Sequence, residues 1–194
     1  MAKARIYVEG KADKQFIQSL LQKYISHVTD FDIDILSGID KDLNVLGKRA
    51  PDFQAHSDVG GINLLIIDAN GNCEARKGEL DRIANDLGIS FESFLLPNNS
   101  DNGNLETLLC EIINEAKQPI FDCFESYRAC LKSGGYYTPG LKSKVFAYLE
   151  TLYEDESDKR IKYESRDYLN KDHWNLDHLY LEPLKEFLVA NIKL

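Results

Sequence analysis

Ile62-Asn63-Leu64-Leu65-Ile66-Ile67 is the most hydrophobic run in the chain, and it ends at a carboxylate, Asp68. Six residues are too few to cross a membrane as a helix. The run also lacks the regular polar alternation of a strand with one wet face, so it predicts a central strand covered on both sides. Such a strand requires helices on both faces of a mainly parallel sheet, and the flanking sequence offers them. Residues 4–9 read as a strand, and 13–28 as a helix with Phe16, Ile17, Leu20, Leu21, Tyr24, Ile25 and Val28 on one apolar face. Phe31 to Leu36 alternates and predicts a second strand. Residues 39–61, with Gly47, Pro51, Gly60 and Gly61 among charges, predict a short helix at best within a long connection.

After the hydrophobic run, Asp68-Ala69-Asn70-Gly71-Asn72 is turn chemistry. A polar helix over 74–87 follows, buried through Leu80, Ile83, Ala84 and Leu87 and ended by Gly88. Ser90 to Leu96 predicts a fourth strand, and a loop over 97–103 leads to a helix with Leu105, Leu108, Leu109, Ile112 and Ile113 inside. Strand and helix thus alternate to about residue 116, the pattern of an α/β domain. Segments 119–132, 141–154 and 178–191 carry helical stripes, with Gly134-Gly135 and the charged stretch Glu154 to Lys162 between them. The expected organisation is an α/β core over 1–116 and a helical C-terminal extension over 117–194 packed on it, since no long linker separates them.

The net charge of −9 argues against a strongly basic nucleic-acid binder. It does not exclude an enzyme that meets phosphate through a bound cation, because the ion sets the local charge. Cys73, Cys110, Cys123 and Cys130 form no CxxC pair and have no zinc-finger spacing. The N-terminus has no apolar signal segment and no run reaches transmembrane length, so a cytoplasmic protein with no membrane partner is expected.

In open α/β sheets, binding groups gather at the carboxyl ends of the strands. Here strand one ends at Glu9-Gly10 and strand three at Asp68, with Asn70 two residues on; the loop after strand four delivers Glu106. Asp13 follows Glu9 by one helical turn. If the strands are parallel neighbours, these oxygens meet on one rim and suit a hard cation such as Mg²⁺. Each has a plainer alternative. Asp13 and Glu106 could simply offset a helix dipole, Asn70 could be a turn residue, and Glu9 a solvated strand end. Asp68 directly after four apolar residues is costly to desolvate unless paired or coordinated.

VEGKAD before an apolar helix, then a hydrophobic strand ending in DAN, resembles the Toprim domain, the metal-binding module of topoisomerases, primases and the overcoming-lysogenization-defect nucleases. FLLPNNSDNGNLETLL and the later WNLD further resemble a Toprim-related bacterial family of unassigned function. The resemblance covers about residues 4–116. It implies a compact four-stranded parallel sheet, Mg²⁺ or Mn²⁺ as cofactor, and phosphodiester hydrolysis on nucleic acid. Glu9 and Asp68 match the family's strand-end acids, Asp13 and Glu106 further acids of the nuclease branch, and Asn70 stands where the family has a second Asp. The expected metal ligands are therefore Glu9, Asp13, Asp68, Asn70 and Glu106, with Glu9, Asp13, Asp68 and Lys144 as catalytic residues.

Lys11 and Lys142 are further candidates to meet phosphate. The four histidines show no HxxxH spacing, and His27 reads as structural. Trp174, with Tyr168, Tyr180, Leu176 and Leu179, reads as an apolar anchor rather than a base-stacking platform, and Gly134-Gly135-Tyr136-Tyr137 as a turn. No nucleophilic tyrosine is identifiable, and the absence of GxxxxGK[ST] means that any ATPase partner is a separate polypeptide. The alternative is a non-catalytic module of the same fold that binds metal, nucleotide or a protein partner. A phosphoacceptor domain of receiver type would need a lysine at a late strand end, and none is convincing.

Overall fold

The computed structural model describes residues 4–25, 31–152 and 166–192. Four strands, β1 (Ala4–Val8), β2 (Phe31–Ile35), β3 (Ile62–Asp68) and β4 (Glu92–Leu96), form one parallel sheet in the order β2-β1-β3-β4. Helix α1 (Lys11–Tyr24) connects β1 to β2, α2 (Val45–Asp58) connects β2 to β3, α3 (Cys73–Leu87) connects β3 to β4, and α4 (Leu105–Glu111) follows β4. The chain continues as α5 (Gln118–Ser133), α6 (Leu141–Glu150) and α7 (Glu182–Ile192). The fold is α/β, a parallel sheet flanked by helices, as the alternating pattern implies.

Period-2 side-chain alternation divides the core between the two faces of the sheet. Ile6, Val8, Leu64 and Ile66 pack with α1, α4 and the C-terminal helices, while Tyr7, Leu65 and Ile67 pack with α2 and α3. Leu64 to Ile67 are all fully buried, which is why β3 carries apolar residues in succession. Asn63, the polar exception, is 3% exposed and satisfied. Its amide donates to the Phe53 and Ser90 carbonyls at 3.0 and 3.1 Å and to Ser57 Oγ at 3.0 Å, and its oxygen pairs with His56 Nδ1 at 2.9 Å.

Helix α2 is longer than the sequence suggests. Gly47 and Pro51 weaken its local preference by roughly 1 and 3 kcal/mol. Yet Leu46, Ala50, Phe53 and His56 fall on one face and are buried, and Phe53 stacks on Tyr7 with ring centroids 4.1 Å apart. Packing of that face overrides propensity. Helix α1 begins two residues before the expected start, at Lys11. His27, Val28 and the Glu154 to Lys162 stretch lie outside the described residues.

The C-terminal part shares the α1/α4 core. Trp174, Tyr168 and Tyr148 are buried and meet edge-on or tilted with Phe16 and Phe121 at centroid distances of 5.2–5.7 Å. The anchor reading of Trp174, Tyr168 and Leu176 holds. Leu179 is 83% exposed and takes no part.

Candidate functional site

The strand order sets the site. From β1 the chain steps outward to β2, then crosses back over β1 to β3. The carboxyl ends of β1 and β3 are therefore neighbours where the winding reverses, the place where open α/β sheets leave a crevice. Glu9 follows the last residue of β1 and Asp68 is the last residue of β3, so the two acids sit side by side: Glu9 Oε1 accepts the Asp68 backbone N–H at 3.0 Å. Asp68 Oδ1 in turn accepts the backbone N–H of Leu105, the first residue of α4, at 3.0 Å. A capping box between Asn104 and Thr107 fixes the start of that helix.

Asp13 folds back from the first turn of α1 and is 8% exposed. Gly10 permits this, because a Cβ there would lie 3.3 Å from Asp13 Oδ2. Asn70 has φ 55°, a left-handed conformation that Asn tolerates. Its backbone N–H donates to the Gly103 carbonyl at 2.7 Å and its carbonyl accepts from Gly103 at 2.8 Å, which ties the loop after β3 to the loop before α4. These elements enclose a cleft of about 540 Å³, bordered by Glu9, Asp13, Asp68, Asn70 and Glu106. All five residues expected as metal ligands thus line one cavity.

Lys144 does not line it. The Lys144 ammonium pairs with Glu125 at 2.8 Å and lies over the Phe121 ring, 4.2 Å from its centroid. Lys142, two residues earlier, borders the cleft with Lys11. Two residues on a helix are about 200° apart, so only one of the pair can face a given surface. Sequence reasoning also missed Asp40 and Arg76. Asp40 reaches the cleft from the loop after β2. Arg76, in the first turns of α3, donates to the Ile39 carbonyl at 2.9 Å and stands 4.0 Å from Glu9 Oε1. A strand order placing β2 beside β1 would have flagged the loop after β2, but no motif marks either residue.

The cleft is electrostatically strained. Burial is the largest cause in each case and pushes all three inner carboxyls up. Asp13 rises to about 6, held down by its own and Gly10's backbone N–H groups and by Lys142, and pushed up by Glu106. Glu9 rises through burial and repulsion from Asp13 and Asp40, against the Asp68 N–H and Arg76. Asp68 rises the most, through burial and then repulsion from Glu9, Asp13 and Glu106, with the Leu105 N–H opposing.

Hard oxygen donors around a cavity that crowds negative charge fit a divalent cation, which would relieve that repulsion. Among the described residues, no three His, Cys, Asp or Glu side chains converge tightly enough to form a coordination group by themselves. The fit is therefore to a cation held by one or two carboxylates that completes its shell with water and substrate oxygens, the habit of Mg²⁺.

A family model described as "Protein of unknown function (DUF3226)" matches residues 3–191. The chain belongs to the DUF3226 family. The match runs through the α/β sheet and the C-terminal helices alike, so the unit that defines DUF3226 includes the cleft and the helices that flank it. Comparison with curated proteins and with solved structures gave no match. Among the described residues, no helix is long and apolar enough to cross a membrane, and all four cysteines are unpaired.

Proposed function

We propose that this DUF3226 protein hydrolyses phosphodiester bonds in nucleic acid with Mg²⁺ or Mn²⁺, as a Toprim-like nuclease of the cytoplasm. The observation that carries the reading is the hydrogen bond between the Glu9 carboxylate and the Asp68 backbone, which puts two partly buried strand-end acids side by side at the switch point of the sheet. Glu9 and Asp68 hold the cation, with Asn70 and Glu106 within the same cleft to bind it or its waters. When bound, the cation polarises a phosphate oxygen and lowers the pKa of a water. Asp13, raised to about 6, keeps a carboxylate basic enough to accept a proton near neutral pH. Lys11 and Lys142 border the cleft where a phosphate enters and offset its charge. Lys144 is engaged by Glu125 and has no part in this scheme. An ATPase partner would supply the GxxxxGK[ST] loop that these 194 residues lack.

The test is incubation of the purified protein with single- and double-stranded DNA and RNA in Mg²⁺ and in Mn²⁺. Cleavage that disappears in Glu9→Gln and Asp68→Asn supports the proposal, and cleavage that survives both removes these residues from the mechanism. A second reading is favoured by Asn70, which brings an amide where a further carboxylate would hold a second cation. On that reading the cleft binds metal or nucleotide, or a protein docks there, without hydrolysis. Calorimetric Mg²⁺ binding with no cleavage of any of the four substrates would select it.

A further inference from the structure

The longest stretch of the chain without Asp or Glu is residues 126–149, which hold Arg128, Lys132, Lys142 and Lys144 in a protein of net charge −9. It comprises the second half of α5, the turn over 134–140 and most of α6. The turn presents Tyr136 and Tyr137, which are 70% and 86% exposed. Large aromatic groups left in water this way, in contrast to the buried Trp174, Tyr168 and Tyr148, mark a contact surface. The turn is ordered by its own backbone. The Tyr136 N–H donates to the Leu131 carbonyl at 2.9 Å, Gly135 takes φ 73°, and the Tyr136 ring lies against Gly134 so closely that a Cβ there would come within 2.7 Å of it. The Cδ2 and Cε2 edge of the ring faces the glycine, and the residue as a whole stays 70% exposed.

The position of this turn relative to the cleft gives it a use. Lys142 borders the cleft, and Tyr137 precedes it by five residues, a chain length of at most about 18 Å. Lys132 lies on the other side of the tyrosines. Cations on both sides of exposed aromatic rings suit a strand whose phosphates meet lysines and whose bases are unstacked and free to lie on a ring. A duplex keeps its bases stacked inside and offers such rings nothing.

We infer that the turn between α5 and α6 is a single-stranded nucleic-acid platform, in which Tyr136 and Tyr137 stack on unpaired bases and Lys132 and Lys142 meet the flanking phosphates on the path into the cleft. This deepens the nuclease reading and rests on it for the direction of the strand, but binding is measured apart from hydrolysis. The experiment uses fluorescence anisotropy with a labelled oligo-dT of about 20 nucleotides, and a duplex of equal length, in EDTA, on the full chain carrying Glu9→Gln and Asp68→Asn.

Single-stranded DNA is expected to bind more tightly than duplex. Tyr136→Ala/Tyr137→Ala weakens it about 5- to 150-fold for each base that no longer stacks, the range equivalent to about 1–3 kcal/mol. Tyr136→Phe/Tyr137→Phe keeps most of the affinity, because stacking needs the ring and not the hydroxyl. Lys132→Gln/Lys142→Gln lowers both affinity and its salt dependence, by about 0.7 in log–log slope for each phosphate left without its lysine. Equal binding by parent and Tyr→Ala proteins overturns the platform. So does tighter binding of duplex, or no binding of oligo-dT at low salt, which would leave these tyrosines to a protein partner. Retained oligo-dT binding with no cleavage by the unsubstituted protein in Mg²⁺ or Mn²⁺ would instead count against the catalytic reading alone.

Discussion

Replacing Asp13 by Asn probes the strain in the cleft without touching the two strand-end acids. Asp13 is 8% exposed and its carboxyl is raised from 3.8 to about 6. The folded protein therefore binds this proton more tightly than the unfolded chain. The stability it contributes is fully present below about pH 4 and is lost as pH rises through about 6. A rise of that size corresponds to about 3 kcal/mol. Above neutrality the ionised group thus costs the fold a few kcal/mol that an isosteric amide avoids. Asp13→Asn should raise the metal-free stability by about 2–3 kcal/mol at pH 8, and leave it within about 0.5 kcal/mol at pH 4. At about 2–4 °C per kcal/mol for a chain of this size, Tm rises by about 4–12 °C at the higher pH. Urea unfolding followed by circular dichroism in EDTA reads both, at two pH values clear of the acidic isoelectric point. Added Mg²⁺ should narrow the gap, because the cation relieves the same repulsion in the parent. An equal change in stability at both pH values, or a loss of stability at pH 8, would refute the reasoning.

Asn70→Asp adds a carboxylate at a position whose φ of 55° Asp also tolerates, so calorimetry should show tighter Mn²⁺ binding and the metal-free protein a lower Tm at pH 8. Asn104→Ala breaks the capping box of α4 and should cost about 1 kcal/mol in urea unfolding; it also loosens the Leu105 N–H that Asp68 accepts, so cation affinity falls with it. Trp174→Ala removes the buried centre of the aromatic cluster and should cost about 3–5 kcal/mol, with α1 and the C-terminal helices losing amide protection together. Lys144→Gln breaks the ion pair that joins α6 to Glu125 of α5 and should leave cleavage within about twofold, whereas Lys142→Gln should slow it by about tenfold or more.

The strands and the pairing of Glu9 with Asp68 were legible because both rest on local patterns: short apolar runs that stop at an acid. A parallel sheet then brings the carboxyl ends to one rim without further information. Asp40 and Arg76 were not legible, since their arrival depends on β2 lying beside β1 and on how α3 leans over the sheet. Helix α2 was hidden by Gly47 and Pro51, whose local cost is outweighed by the burial of Phe53 against Tyr7, a partner 46 positions away in the chain. Lys142 and Lys144 were both in view, and only the rotation of α6 decides between them. The aromatic turn was visible as a glycine pair before two tyrosines, but its exposure follows from the packing of α5 and α6, which no pattern of spacing encodes.

The central claim is that Glu9 and Asp68 share a divalent cation. Crystals soaked in about 10 mM Mn²⁺ and measured above the manganese absorption edge test it most directly. The account predicts an anomalous peak in the cleft, in contact with both carboxylates and absent from Asp68→Asn. An empty cleft beside well-ordered Glu9 and Asp68 side chains, or a peak indifferent to the substitution, would contradict it.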